Sequence, residues 1–547
     1  MIEGSLPLYH QLQRTAGQRG SEEAFVCQGE RLNWLELKQR AGRTAKALMA
    51  HGVKAGDHVG VMLGNGALWI EVFYACASIG AVTVPINTRF KTDELAYCLK
   101  HADVKLLILA DRFLGIDFID LLRQVEPALD ARLPGQALPC LERVIVAGTD
   151  VPAACEAFDD FIQAGATLAD SELENRAGLV SLDSLLLMQF TSGTTSFPKG
   201  VMLTHGNMLT NARAVAQRIG MRPEDRYFSI RPYFHVAGTT LSILVSLVTG
   251  CCLLTLPKFD VEENLTVLEA ERCTMISGND TIFLMLMGHP HFDRSKLHLR
   301  GGWAAAGVEV MQKIRDDMGV PFMCNAYGQS EASPNVTMTS WEDSFELRAA
   351  GWGLPLEGVQ IRVTDAETHQ PLPPGSQGEI EVKGWNVMRG YYKMPEQTEK
   401  ALTPDGWLRT GDLGEISVEG RLRMVGRLKD VYRVGGENVA PAEVEETLLS
   451  NPAVQLAQVV GVPDARLGEV TAAFVVLKEG HRAEEDELVA WCKGRCANFK
   501  VPRYLRIVDS FEHIGMTGSS KVQKNKLKDH AIQIFGLADQ MNTGAHR

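Results

Sequence analysis

The feature that most constrains this chain is the alternation of short apolar runs with amphipathic stretches. Residues 59–63 read as a strand, 69–80 as a helix, 81–85 as a strand and 105–110 as another. A period that switches in this way over most of the chain is the pattern of α/β layers. At 547 residues the chain exceeds what one hydrophobic core supports, so at least two domains are expected. Around 360–392 the text changes to short strands and a turn at 371–375, which predicts a small β-rich subdomain at about 350–428. Beyond Gly426 a helix at 441–450, strands at 457–462 and 471–476, and a helix at 484–496 predict an α+β unit. The expected fold is therefore α/β. Residues 1–428 form a large N-terminal domain of two layered α/β subdomains plus the β-rich one, and residues 429–547 a small C-terminal domain.

Composition excludes several classes. A formal net charge of -12 disfavours nucleic acid and anionic membranes as bulk partners. The most apolar stretch, 241–256, is interrupted by Ser242, Ser246, Thr249 and Gly250 and is too short to span a bilayer. It reads as a buried helix, a turn at Gly250 and a strand. Residues 1–14 lack the apolar core of a leader, so none is expected. The eleven cysteines include no CxxC pair, which argues against a zinc site or disulfide framework and for the reducing cytoplasm.

The densest chemical signal is Thr191-Ser192-Gly193-Thr194-Thr195-Ser196-Phe197-Pro198-Lys199-Gly200, directly after the strand-like run 185–190. Glycine allows close backbone approach to a ligand, hydroxyls donate to phosphate oxygens, and lysine supplies charge. Pro198 before Lys199, and Gly200 after it, distinguish the segment from a Walker A loop. Alone, the segment also suits a solvated turn.

Further motifs follow in order: Pro232-Tyr233-Phe234-His235-Val236-Ala237-Gly238, Tyr327-Gly328-Gln329-Ser330-Glu331, Thr410-Gly411-Asp412 and Gly426-Arg427-Leu428-Lys429-Asp430. Then come Gly435-Gly436-Glu437-Asn438 and Lys521 near the end. This ordered set, over nearly the whole chain, resembles the adenylate-forming superfamily, in its acyl-CoA synthetase branch. The resemblance implies that ATP activates a carboxylic acid as an acyl-adenylate with loss of pyrophosphate, and that a thiol, coenzyme A, then releases AMP.

By resemblance, Thr191, Ser192, Gly193, Thr194, Thr195 and Lys199 cover the β- and γ-phosphates. Ser196 stands where the family usually has glycine. Tyr327 stacks on adenine over a wall of Ala304, Ala305, Ala306 and Gly307, with Gly328 and Ser330 beside it. Glu331 is the implied Mg2+ ligand and Asp412, with Arg427, the implied ribose partner. Lys521 bridges carboxylate and α-phosphate, so Lys521, Glu331, Thr191 and His235 are the implied catalytic set. Lys429 is the implied hinge of a mobile C-terminal domain, and Arg433, Gly435 and Gly436 approach the pantetheine arm in the alternative pose. His235 resembles an aromatic gate at the acyl pocket.

That pocket is expected to be lined by His235, Val236, Gly238, Thr239, Asn279, Trp303 and Ala332. The small residues after His235 leave room for a bulky acyl group, and Asn279 or Asp280 is a candidate for contacting a polar group on the acid. No pocket lysine or arginine is evident. The acid is therefore a medium- or long-chain fatty, aryl or steroid-derived one. The alternative acceptor is a carrier protein, although no aspartate that would hold an amino-acid ammonium follows His235. A catalytically silent binding relative is disfavoured by the presence of Lys199, Glu331, Asp412, Arg427 and Lys521. A homodimer stays open.

Overall fold

The computed structural model describes residues 5–191, 198–435, 437–515 and 522–537. Two large sheets dominate it. The nine-stranded sheet has at its centre parallel strands Phe322–Gly328, Gly301–Ala305, Met275–Asn279, Arg226–Ser229, Cys252–Thr255 and Glu23–Cys27. The seven-stranded sheet runs Lys199–Thr204, Leu185–Thr191, Val82–Pro85, His58–Met62, Leu106–Ala110, Arg143–Ala147 and Glu156–Ala157. All its pairings are parallel except the first, where Lys199–Thr204 turns back along Leu185–Thr191.

Helices Trp34–Ala50, Ala67–Ile79 and His205–Arg218 contribute residues to one core that both sheets share. Helix Ala67–Ile79 shows why: nearly every residue on it is buried, from Trp69 and Phe73 to Ile79, and Gly80 ends it in the left-handed conformation at φ 76°. The outer faces of the two sheets carry separate cores under helices such as Val308–Asp316 and Phe118–Val125. The layered α/β expectation holds.

The stretch read as helix, turn and strand is there with one addition. Thr239–Leu244 is a π-helical segment, followed by helix Val245–Thr249, Gly250 at φ 79° and strand Cys252–Thr255. Such widened turns concentrate at functional sites. No helix among the described residues is long and apolar enough to cross a membrane.

The predicted β-rich region is an antiparallel four-stranded sheet of Val359–Thr364, Gln377–Gly384, Leu408–Ile416 and Leu422–Arg427. Its inward residues Val363, Ile380, Val382 and Leu422 belong to the large shared core, so it has no core of its own. From Tyr432 onward a separate core begins, built on the long hairpin Val454–Asp464 and Gly468–Leu477 and closed by helices Pro441–Leu449, Glu485–Lys493 and Lys524–Ile534.

Candidate active site

On one side of the site, the antiparallel pairing of Leu185–Thr191 with Lys199–Thr204 puts Thr191 opposite Lys199 and so pins both ends of the hydroxyl-rich loop. Ser192, Gly193, Thr194 and Thr195 lie outside the described residues. The Lys199 ammonium sits 4.3 Å from the centroid of the Tyr391 ring, within cation–π range. Tyr391 in turn donates its hydroxyl to Glu331 Oε1 at 3.0 Å. Burial first, and the Glu331 charge second, push the Tyr391 phenol well above its ordinary value, so it stays a donor. The backbone of Glu331 is fixed by the Met388 N–H, 2.9 Å from its carbonyl. The Thr191 hydroxyl is buried and has no hydrogen-bond partner among the described residues, a state that costs free energy unless something else completes it.

On the opposite side, Tyr327 near the end of Phe322–Gly328 donates its hydroxyl to Asp412 Oδ2 at 2.9 Å. Asp412 pairs across the sheet with Arg427, whose Nε lies 3.2 Å from Oδ1. Burial and the Asp412 charge hold the Tyr327 phenol well above its usual range. A Cβ on Gly328 would lie 2.0 Å from the Pro334 carbonyl, so the close approach of two backbones dictates glycine there. Gly307 differs: the nearest atom to an added Cβ is 3.8 Å away. The protein itself leaves that face open, as it does at exposed Ala305. Ala306 continues the wall, and Ser330 is buried beside Glu331 in a single 3-10 turn.

The third side contains the predicted acyl residues, and here the structure makes corrections. His235 caps the short helix Val236–Gly238, accepting the Ala237 N–H on Nδ1 at 3.2 Å. The Gln189 side chain donates to the Phe234 carbonyl at 3.0 Å and ties this segment to the strand leading to Thr191. Gly238 does not serve as open pocket space: its Cβ direction runs into the Pro232 carbonyl at 2.1 Å. The Thr239 hydroxyl is engaged with the Val236 carbonyl at 3.2 Å, and both side chains are fully buried. The Asn279 Oδ1 caps helix Asp280–Met287 at Ile282 N, 3.1 Å, which commits that oxygen to the fold. Asp280 accepts the Gly307 N–H at 3.2 Å.

Trp303 is buried at 3% exposure, with its indole N–H donated to the Tyr227 hydroxyl at 2.9 Å. Ala332 is fully buried. Arg231, which the sequence reading does not single out, is only 8% exposed, and its guanidinium carbon lies 4.8 Å from the Trp303 ring centroid. Its signal in the sequence is a charge between apolar Ile230 and Pro232, four residues before His235. Tyr391 was also missed; no spacing rule singles it out.

The C-terminal core meets the site beside Gly307. Glu446, on helix Pro441–Leu449, is the side chain nearest the empty Cβ position of Gly307. Burial raises the Asp280 carboxyl to about 7, and the neighbouring Glu445 and Glu446 push the same way against the Gly307 hydrogen bond. Lys429 is exposed in the 3-10 turn Leu428–Asp430. Arg433 is exposed on Tyr432–Val434, and Gly435, at φ 59°, donates its N–H to the Leu467 carbonyl at 2.9 Å. Gly436 and Lys521 lie outside the described residues.

Comparison with known proteins agrees with this geometry. The family described as AMP-binding enzyme matches residues 12–392, and its C-terminal domain matches 443–521. YngI of Bacillus subtilis (strain 168), which carries a provisional acyl-CoA synthetase name, is 39% identical over 96% of this chain and 97% of its own length. A Rhodococcus jostii (strain RHA1) ligase is 36% identical over 95% of this chain and 97% of its own. Its name gives its product as the coenzyme A thioester of 3-[(3aS,4S,7aS)-7a-methyl-1,5-dioxo-octahydro-1H-inden-4-yl]propanoate. Among solved structures, ATP-bound MatB from Rhodopseudomonas palustris superposes with a TM-score of 0.83 at 28% identity, over 97% of this chain and 99% of that one.

Proposed function

Because the chain belongs to the AMP-binding enzyme family, we infer that it is an AMP-forming carboxylic acid–CoA ligase. A carboxylate oxygen attacks the α-phosphorus of ATP and pyrophosphate leaves. The sulfur of coenzyme A then attacks the acyl carbon and AMP leaves. The observation that best supports this reading is convergence from distant parts of the chain. Thr191, Lys199, Tyr391 and Glu331 form one connected side, and Tyr327, Asp412 and Arg427 the other.

In this reading Tyr327 and the Ala305–Gly307 wall hold adenine, and Asp412 with Arg427 holds the ribose hydroxyls. Lys199 and the loop that follows Thr191 neutralise the outer phosphates, so that a carboxylate can approach a polyanion. The residues present fit Mg2+: Glu331 and the orphaned Thr191 hydroxyl are hard oxygen donors, the type that accompanies phosphate oxygens around this ion. When bound, the ion supplies charge neutralisation on the phosphates. Lys521 assists adenylation. Lys429 is the hinge between residues 1–428 and 429–547, about which Arg433, Gly435 and Gly436 come to the pantetheine arm. The acid is a medium- or long-chain fatty, aryl or steroid-derived one, and His235 gates its entry. The compartment proposed is the cytoplasm, since all eleven cysteines are unpaired.

Mass spectrometry of products from ATP, Mg2+, coenzyme A and a pooled panel of such acids, each with and without a second carboxyl group at its far end, tests the reading. A thioester formed together with AMP is expected. Acyl-adenylate and AMP without thioester would instead assign the acyl group to a carrier protein, and the absence of both acyl-adenylate and thioester would overturn the reading.

A further inference from the structure

Arg231 differs from the other buried arginine of the large domain. Arg348, 5% exposed, gives Nη1 to the carbonyls of Pro321 and Met323 at 2.8 and 3.1 Å. Arg231, also buried, has Nε and Nη2 without any hydrogen-bond partner among the described residues. The polar groups around it are engaged with one another. Trp303 donates to Tyr227, Tyr227 to the Leu241 carbonyl at 2.9 Å, and Ser277 to Ser229 at 2.9 Å, while Ser229 and Ser242 are 2.7 Å apart. Burial lowers the guanidinium to about 10, which leaves it charged at neutral pH. A charge kept in this state is destabilising in the free protein, and the flat Trp303 ring offers only partial compensation.

The position of the group says what completes it. Trp303 precedes Ala305, part of the proposed nucleotide wall, by two residues on one strand, an advance of about 7 Å. The gate residue His235 is four residues after Arg231. The guanidinium thus packs against the strand that carries the proposed nucleotide wall and stands on the segment that carries the gate. Nε and Nη2 form one edge of the guanidinium, the fork that matches the two oxygens of a carboxylate.

Resting on the ligase reading, we propose that Arg231 selects an acid whose far end carries a second carboxylate, a dicarboxylic acid activated at one end and held by Arg231 at the other. A ring or chain ketone presents a single neutral acceptor to the same edge and is the weaker ligand.

The test compares kcat/KM for straight-chain monocarboxylic acids, their ω-oxo analogues and their ω-carboxyl analogues of matched length, in the wild type, Arg231→Met and Arg231→Lys. The wild type is expected to favour the ω-carboxyl acid by about 100-fold or more, Arg231→Met to reverse that ratio, and Arg231→Lys to retain part of it. Thermal unfolding gives a second readout. Without substrate, Arg231→Met should melt higher than the wild type, and the dicarboxylic acid should raise the melting temperature of the wild type only. A ratio indifferent to residue 231, or a variant that melts lower and keeps the wild-type ratio, overturns the proposal. Thioester from plain acids with such an indifferent ratio refutes Arg231 alone. Absence of thioester from every acid refutes the ligase reading, and the dicarboxylate-dependent melting shift then still decides the role of Arg231.

Discussion

The core shared by the sheets and the core of the C-terminal unit hold their chemistry in different ways. Residues up to Leu422 feed a core shared by three sheets, and the side chains proposed to bind nucleotide are cross-linked within it, Tyr327 to Asp412 to Arg427 and Lys199 to Tyr391 to Glu331. From Tyr432 a smaller core stands alone, and its candidate residues Arg433 and Gly435 are exposed. Where the two units meet beside Gly307 the contact brings carboxylates together, Asp280 against Glu445 and Glu446. Moving a nucleotide-binding residue would disrupt shared packing, whereas withdrawing the small unit relieves like-charge contact. The proposed exchange of faces about Lys429 therefore uses the cheaper of the two displacements.

The sharpest way to break this contrast is Lys521→Ala. If the small unit serves each half-reaction with a different face, pyrophosphate release should fall by on the order of 10²–10³-fold, the cost of removing one preorganised charge partner. Thioester formation from preformed acyl-adenylate should stay within a few fold. Measuring the two half-reactions separately decides it, because equal losses would mean that both use one pose.

Asp280→Asn probes the interface itself. The free carboxyl titrates near 4 and the folded one at about 7, so the folded state binds the proton more tightly. The stabilising contribution is complete below about pH 4 and is lost as pH rises through about 7. Asparagine keeps an acceptor for the Gly307 N–H but cannot ionise. The variant should match the wild type near pH 4 and exceed it at pH 8. The gain is roughly 2 kcal/mol, below the ceiling of about 4 that the shift implies, because withdrawal of Glu445 and Glu446 relaxes the site. Lys524 already pairs with Glu445, and Arg423 offsets Glu446, which lowers the gain further. Denaturation at the two pH values measures it, and a gap of equal size at both would remove the carboxylates from the account.

How much of this was readable beforehand follows the same division. Strand and helix positions in the large layers were legible because their apolar runs are nearly continuous, as in 59–63 and 69–80, found as His58–Met62 and Ala67–Ile79. The pairing of Asp412 with Arg427 was legible only as motif order, since a sheet register brings them together. What escaped depends on contacts between distant segments. Gly238 reads as free space until the Pro232 carbonyl is seen against it, and the helix-capping role of the Asn279 Oδ1 shows only in the fold. Arg231 belongs to no motif, and only its packing against the Trp303 ring marks it. Tyr391 belongs to no motif that was recognised, and it acts through Glu331, 60 residues away in sequence.

Tyr391→Phe gives the finest test, because it separates two contacts made by one ring. The phenylalanine keeps an aromatic face under Lys199 and removes only the hydroxyl donated to Glu331. A partner that orients a ligating carboxylate is worth about 10-fold or somewhat more, so kcat/KM for ATP should fall by about tenfold. The Mg2+ concentration needed for half-maximal adenylation should rise by a similar factor. High Mg2+ should then restore the rate in this variant and fail to do so in Lys521→Ala, although both lose the same half-reaction. If Tyr391→Phe kept wild-type Mg2+ dependence while losing rate, the hydroxyl would be acting on packing around the phosphate strands, and the metal assignment of Glu331 would lose its support in the large core.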